Sequence, residues 1–121
     1  MHRRSERQRN ASRLWREHCR APFPADLRGT VLGGTDLVLL DADLAGCVST
    51  WLGDRGTLDP GRTRILRRCV EELDRVLPEL TGSAEIRYYE RLRRLALLVL
   101  TAAEDVTGGT PGVLREGDGT R

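Results

Sequence analysis

The sequence predicts an all-α protein: a small antiparallel three-helix bundle with an additional short N-terminal helix and disordered ends. Three observations carry this expectation. Apolar residues recur at helical spacing over three long segments, 36–52, 60–77 and 84–105. Glycine and proline punctuation separates those segments at Gly33-Gly34, Gly53 to Pro60, and Pro78 to Gly82. The chain of 121 residues has room for one domain with one core. The implied organisation is a basic disordered arm at 1–12, a single helical domain at 13–105 and a flexible Gly-rich tail at 106–121.

The elements follow in order. Ser12 can cap a short helix at 13–20, with Leu14, Trp15, His18 and Cys19 on one side and Arg13, Arg16 and Arg20 on the other. Pro22-Phe23-Pro24 forces an extended connector, because proline fixes φ and disfavours helix in the residue before it. Gly29 to Gly34 reads as a turn leading into the first long helix, which starts near Thr35 or Asp36 and stops at Gly53. Its apolar stripe is Leu37, Leu40, Leu44, Cys47, Val48 and Trp51, while Ala42, Ala45, Gly46 and Ser49 form a side of small residues. Glycine inside a helix costs about 1 kcal/mol relative to alanine, so Gly46 predicts close approach of another backbone and a helix packed on two sides.

Asp59-Pro60 is a strong start signal, a capping acid followed by proline at the first helical position. The helix it opens is amphipathic to about Leu77, where Pro78 ends or bends it. Ser83 can cap the third long helix, whose core stripe is Tyr88, Tyr89, Leu92, Leu95, Ala96, Val99 and Ala103. The far side of this helix is polar at Arg87, Glu90, Arg91 and Arg94, then turns apolar at Leu97 and Leu98, so something must cover those leucines.

The segment DLVLLDADLAGCVSTWL at 36–52, followed by Leu58-Asp59-Pro60 and Val76-Leu77-Pro78-Glu79-Leu80, resembles a group of small uncharacterised helical proteins encoded in high-GC actinobacterial genomes. The resemblance spans residues 22–100 and implies a cellular context, but no activity and no site residues. A high-GC coding sequence also accounts for the basic residues, all 20 of which are arginine.

Charge is unevenly placed. Residues 1–20 carry seven arginines against two acids, whereas the remaining 13 arginines face 16 acids. Arg3, Arg4, Arg7 and Arg9 of the arm, with Arg87, Arg91 and Arg94 at helical spacing, are the candidate nucleic-acid contacts. No apolar run reaches the length of a membrane span and no apolar stretch follows the basic N-terminus, so the expected location is cytoplasmic, without membrane association.

Chemistry is sparse. Three widely spaced cysteines, Cys19, Cys47 and Cys69, do not make a disulfide framework, and CxxC and HxxxH spacings are absent. His18 and Cys19 are adjacent, but neighbours on a helix point about 100° apart, so both are expected to pack rather than bind metal. Gly29 to Gly34 lacks the lysine and hydroxyl of a phosphate-binding loop. Asp36, Asp41 and Asp43 lack the glycine turn and terminal glutamate of a calcium loop. Asp41 stands out as a carboxylate on the flank of an apolar stripe, which predicts a buried charge with a structural arginine partner.

The expected function is a non-catalytic helical interaction protein, an adaptor, immunity-type or regulatory partner. It would bind another protein or a second copy through Leu97, Leu98, Ala42 and Gly46, with no cofactor and no metal. A nucleic-acid-associated accessory protein using the arginine arm is the alternative. An enzyme ranks last, because no nucleophile, metal set or cofactor loop can be assembled.

Overall fold

The computed structural model describes residues 6–108, and side chains through residue 102. The described residues form four α-helices and one two-stranded hairpin: α1 Glu6–Arg20, β1 Val31–Leu32, β2 Thr35–Asp36, α2 Leu37–Gly53, α3 Pro60–Val76 and α4 Ser83–Gly108. Arg3 and Arg4 lie outside the described residues, as does the expected tail from residue 109 on, while residues 106–108 of that expected tail continue α4.

α1 is longer than its sequence signals indicate. It is helical from Glu6, the first described residue, so residues 6–12 are not a disordered arm. Ser12 sits inside the helix rather than capping it. Ala11 and Leu14, fully buried and 5% exposed, lie on the face turned to the body, and that contact outweighs the polar composition of the first two turns. Glu6 near the N-terminal end and His18 and Arg20 in the last turn complement the helix dipole.

The turn before α2 is a hairpin. Gly33 and Gly34 have φ of +55° and +78°, the pair of left-handed residues that a two-residue type I′ turn requires. The strands pair Leu32 with Thr35 and Val31 with Asp36. Asp36 then ends β2 and caps α2, its side chain accepting from Leu39 N at 3.0 Å. Asp59 does the same for α3, accepting from Arg62 N at 2.8 Å with Pro60 at the first position. A single 3₁₀ turn, Leu77–Glu79, absorbs Pro78. At the start of α4 only the returning half of a capping box forms: the Glu85 carboxylate accepts from Gly82 N at 3.3 Å, and the glycine, not Ser83, precedes the helix.

Leu40, Leu44, Val48 and Trp51 of α2 meet Leu66 and Leu73 of α3 and Tyr89, Leu92, Leu95 and Val99 of α4, all at most 1% exposed. Burial on this scale contributes about 2 kcal/mol per side chain. The ion pairs that decorate the seams, Arg93 Nε to Asp74 at 2.9 Å and Arg68 to Asp43 at 3.5 Å, are exposed and contribute a few tenths. Apolar packing therefore fixes the helix positions and the charges follow.

α2 does not pack on two opposite sides as Gly46 suggested. Ala42, Gly46 and Ser49 are exposed, and a Cβ added at Gly46 would meet nothing within 4 Å. α3 and α4 cover the apolar stripe and α1 reaches the Asp41 flank, which leaves the small-residue side in solvent.

Two glycines with empty surroundings should therefore respond oppositely to alanine. Gly46→Ala relieves a helix-interior glycine and should raise stability by about 0.5–1 kcal/mol. Gly34→Ala forces a side chain into left-handed backbone and should lower it by about 1 kcal/mol. Chemical-denaturant midpoints of the two variants check both signs.

Candidate functional site

Two features arise where α1 meets the rest of the molecule, a polar clasp at its C-terminal end and a groove along its N-terminal half. The clasp is built on Asp41, which projects from the flank of α2 with 17% of its side chain exposed. His18 Nε2 of α1 donates to Asp41 Oδ1 at 3.1 Å, and the Tyr88 hydroxyl of α4 donates to Asp41 Oδ2 at 2.6 Å. The expected arginine partner is thus replaced by a histidine and a tyrosine. Both rings already face inward from their own helices, so they reach the carboxylate without burying a guanidinium.

An aromatic cluster backs the clasp. Tyr88 contacts the rings of His18 at 4.8 Å, Phe23 at 5.6 Å and Tyr89 at 5.2 Å between centroids. The Tyr89 hydroxyl donates to Leu37 O at 2.7 Å, tying α4 to the first residue of α2. Arg28 lies over the Phe23 ring at 5.2 Å and Arg91 over Tyr88 at 5.6 Å. Burial pushes both phenols well above the ordinary value, and at Tyr88 the hydrogen bond to Asp41 adds to it.

The groove lies between the N-terminal half of α1 and the C-terminal half of α4. It has a volume of about 320 Å³, a floor of Leu14, Leu97 and Leu98, and a rim that includes Arg7, Arg13 and Arg94. Leu98 is half-buried and Leu97 is 36% exposed. α1 and α4 run antiparallel: His18 meets Tyr88, while Arg7 and Asn10 meet Leu98. This pairing brings Arg7 of the basic arm, Arg94 of the α4 stripe and the two leucines to one place. Arg13 and Arg94 form no ion pair among the described residues.

The remaining candidates separate. Ala42 and Gly46 lie exposed on the outer side of α2 and do not line this groove. Arg91 is half-buried against Tyr88, whereas Arg87 is exposed one turn earlier. Arg9 is exposed on α1 in the same stripe as Arg13, Arg16 and Arg20. Cys19 is exposed rather than packed. Burial raises the Cys47 thiol and pushes that of Cys69 up to about 12, so neither is a ready nucleophile.

Sequence reasoning singled out Asp41 and noted His18 and Tyr88 on inward faces, but did not join them. Arg13 was missed as a groove residue; its signal is its place three residues after Asn10 and beside Leu14 once residues 6–12 are read as helix. No group of three or more His, Cys, Asp or Glu side chains among the described residues could hold a metal ion, and no described helix is long and apolar enough to cross a membrane. No protein-family model matches the chain, and no curated protein or solved structure is significantly similar to it.

Removing the clasp should be felt in stability. Tyr88→Phe deletes a hydrogen bond to a carboxylate and should cost about 1–2 kcal/mol, and Asp41→Asn about 1–3 kcal/mol, in denaturant melts. The alkaline limb carries a second signature. Unfolding returns both phenols to the ordinary value of 10.0, so the stability gained by keeping them neutral is complete below that pH and is lost as pH rises above it. Phenolate absorbance should rise together with unfolding, and Tyr88→Phe should shallow the decline.

Proposed function

We propose that this chain is a non-catalytic interaction protein, an adaptor or regulatory partner. In this reading α2, α3 and α4 form an antiparallel scaffold that presents α1 and the groove between α1 and α4 to another protein. The observation that carries the proposal is the groove itself. It leaves two leucines incompletely covered after α1 has docked, beside Arg13 and Arg94, which form no ion pair among the described residues. Exposed apolar surface rimmed by polar groups marks interaction sites on soluble proteins.

Substitution at Leu97 tests this directly. Leu97→Glu places a charge on the groove floor at a position already 36% exposed, so the fold should persist. Light scattering and affinity capture should show an assembly in the wild type, with a second copy or a distinct partner, that the variant loses while its circular dichroism is unchanged. Thr101→Glu, at another exposed groove position, should act likewise. The same assemblies with and without these substitutions would refute the reading.

A second reading, nucleic-acid association, draws on the exposed stripe Arg9, Arg13, Arg16 and Arg20 along the outer face of α1. It would require salt-sensitive binding to duplex DNA or RNA that is indifferent to Leu97.

A further inference from the structure

The groove between α1 and α4 has features that define the chemistry of its occupant. Resting on the reading of this groove as an interaction site, we propose that it receives an acidic amphipathic helix of a partner protein. Leucine-class side chains of that helix would seat on Leu14, Leu97 and Leu98, and its carboxylates would lie beside Arg13 and Arg94.

Shape argues for a helix. The groove is walled by two α-helices whose backbone groups are already bonded internally, so it offers no row of donors and acceptors to an extended strand. A helical segment satisfies its own backbone and needs only side-chain pockets. From residue 7 to residue 13 of α1 the wall runs about 9 Å, which accommodates anchors one turn apart, at i and i+3 or i+4.

Charge argues for acids. Arg13 and Arg94 stand on opposite walls without a carboxylate partner among the described residues, and Arg7 lies on the same rim. A partner that buried the leucines while leaving Arg13 and Arg94 opposite neutral or basic groups would desolvate them uncompensated. The same arrangement disfavours a second copy. A two-fold contact of this groove with itself would set Arg13 and Arg94 against their counterparts, and on the outer face of α3 the carboxylates of Glu72 and Asp74 are already paired with Arg68 and Arg93.

The floor argues against nucleic acid. None of the described residues lining the groove carries an aromatic ring on which a base could stack, and Phe23, Tyr88 and Tyr89 pack edge-on or tilted against one another at the clasp instead.

Fluorescence anisotropy on the full chain tests the proposal with three labelled probes. They are a helical peptide with leucines at i, i+3 and i+7 flanked by glutamates, the same peptide with lysines for glutamates, and an oligonucleotide duplex. The expected result is saturable binding of the acidic peptide, weakening as salt rises, with the lysine peptide at least about ten-fold weaker. Arg13→Glu with Arg94→Glu should reverse the preference between the two peptides, and Leu97→Ser should weaken the acidic peptide by about ten-fold. Both arginines are exposed and Leu97 is partly so, and unchanged melting of the variants would show that the fold is kept.

Equal binding of acidic and basic peptides would overturn the proposal, as would tighter binding of the duplex that ignores Leu97→Ser. If neither peptide binds although Leu97→Glu abolishes a native assembly, the acidic-helix proposal falls and the interaction reading stands. If Leu97→Glu alters no assembly, that reading falls by itself.

Discussion

The Asp41 carboxylate is the point on which the arrangement of this molecule turns. It stands on the flank of an otherwise apolar stripe, where a lone charge would be costly, and it is satisfied by one donor from α1 and one from α4. A single side chain of α2 therefore ties α1 to the packed body at the point where α2 and α4 meet. The hydrogen bonds alone are modest in net free energy, but a partly buried carboxylate that loses its donors carries a larger penalty, which makes the docked arrangement of α1 specific. Gln8 provides the second attachment, donating to Arg55 O at 3.0 Å in the loop after α2, where Arg55 itself adopts a left-handed φ of 59°. Between these two ends Ala11 and Leu14 supply the apolar contact.

The groove is a consequence of that docking. α1 crosses the apolar end of α4 and covers part of it, leaving Leu97 open and Leu98 half-covered. The same crossing sets α1's arginines beside those of α4. The result is a surface with an apolar floor and a basic rim, a combination that neither helix presents alone. Ala42 and Gly46, by contrast, remain on a face of α2 that no other element reaches, and their smallness has no structural role within the described residues.

Much of the helical architecture was legible in the sequence because it is set by local chemistry. Asp59-Pro60 and Pro78 mark boundaries by capping or by backbone restriction, and the stripe from Leu37 to Trp51 is set by periodicity; Gly53 only approximates its boundary, since it remains helical and the left-handed residues that follow are Arg55 and Gly56. The hairpin at Val31–Asp36 was only partly legible: Gly33-Gly34 announced a turn, but strands of two residues carry no alternation to read. The first two turns of α1 were hidden for a different reason. Their polar composition suggests disorder, and only tertiary contact through Ala11, Leu14 and Gln8 makes them helical. The clasp was hidden by sequence distance. Each of its three residues looked anomalous or inward-facing on its own wheel, but 23 and 47 residues separate Asp41 from His18 and Tyr88, and only the packing of three helices joins them.

Native-state hydrogen exchange across α1, in the wild type and in Asp41→Ala, tests most directly the claim that this carboxylate holds the helix and thereby the groove. The predicted result is that the α1 amides from Ala11 to His18 are protected in the wild type. In the variant they lose protection selectively, while amides of α3 and of the Leu92–Val99 stretch of α4 keep theirs. Protection of α1 that survives the loss of Asp41 unchanged would contradict the account.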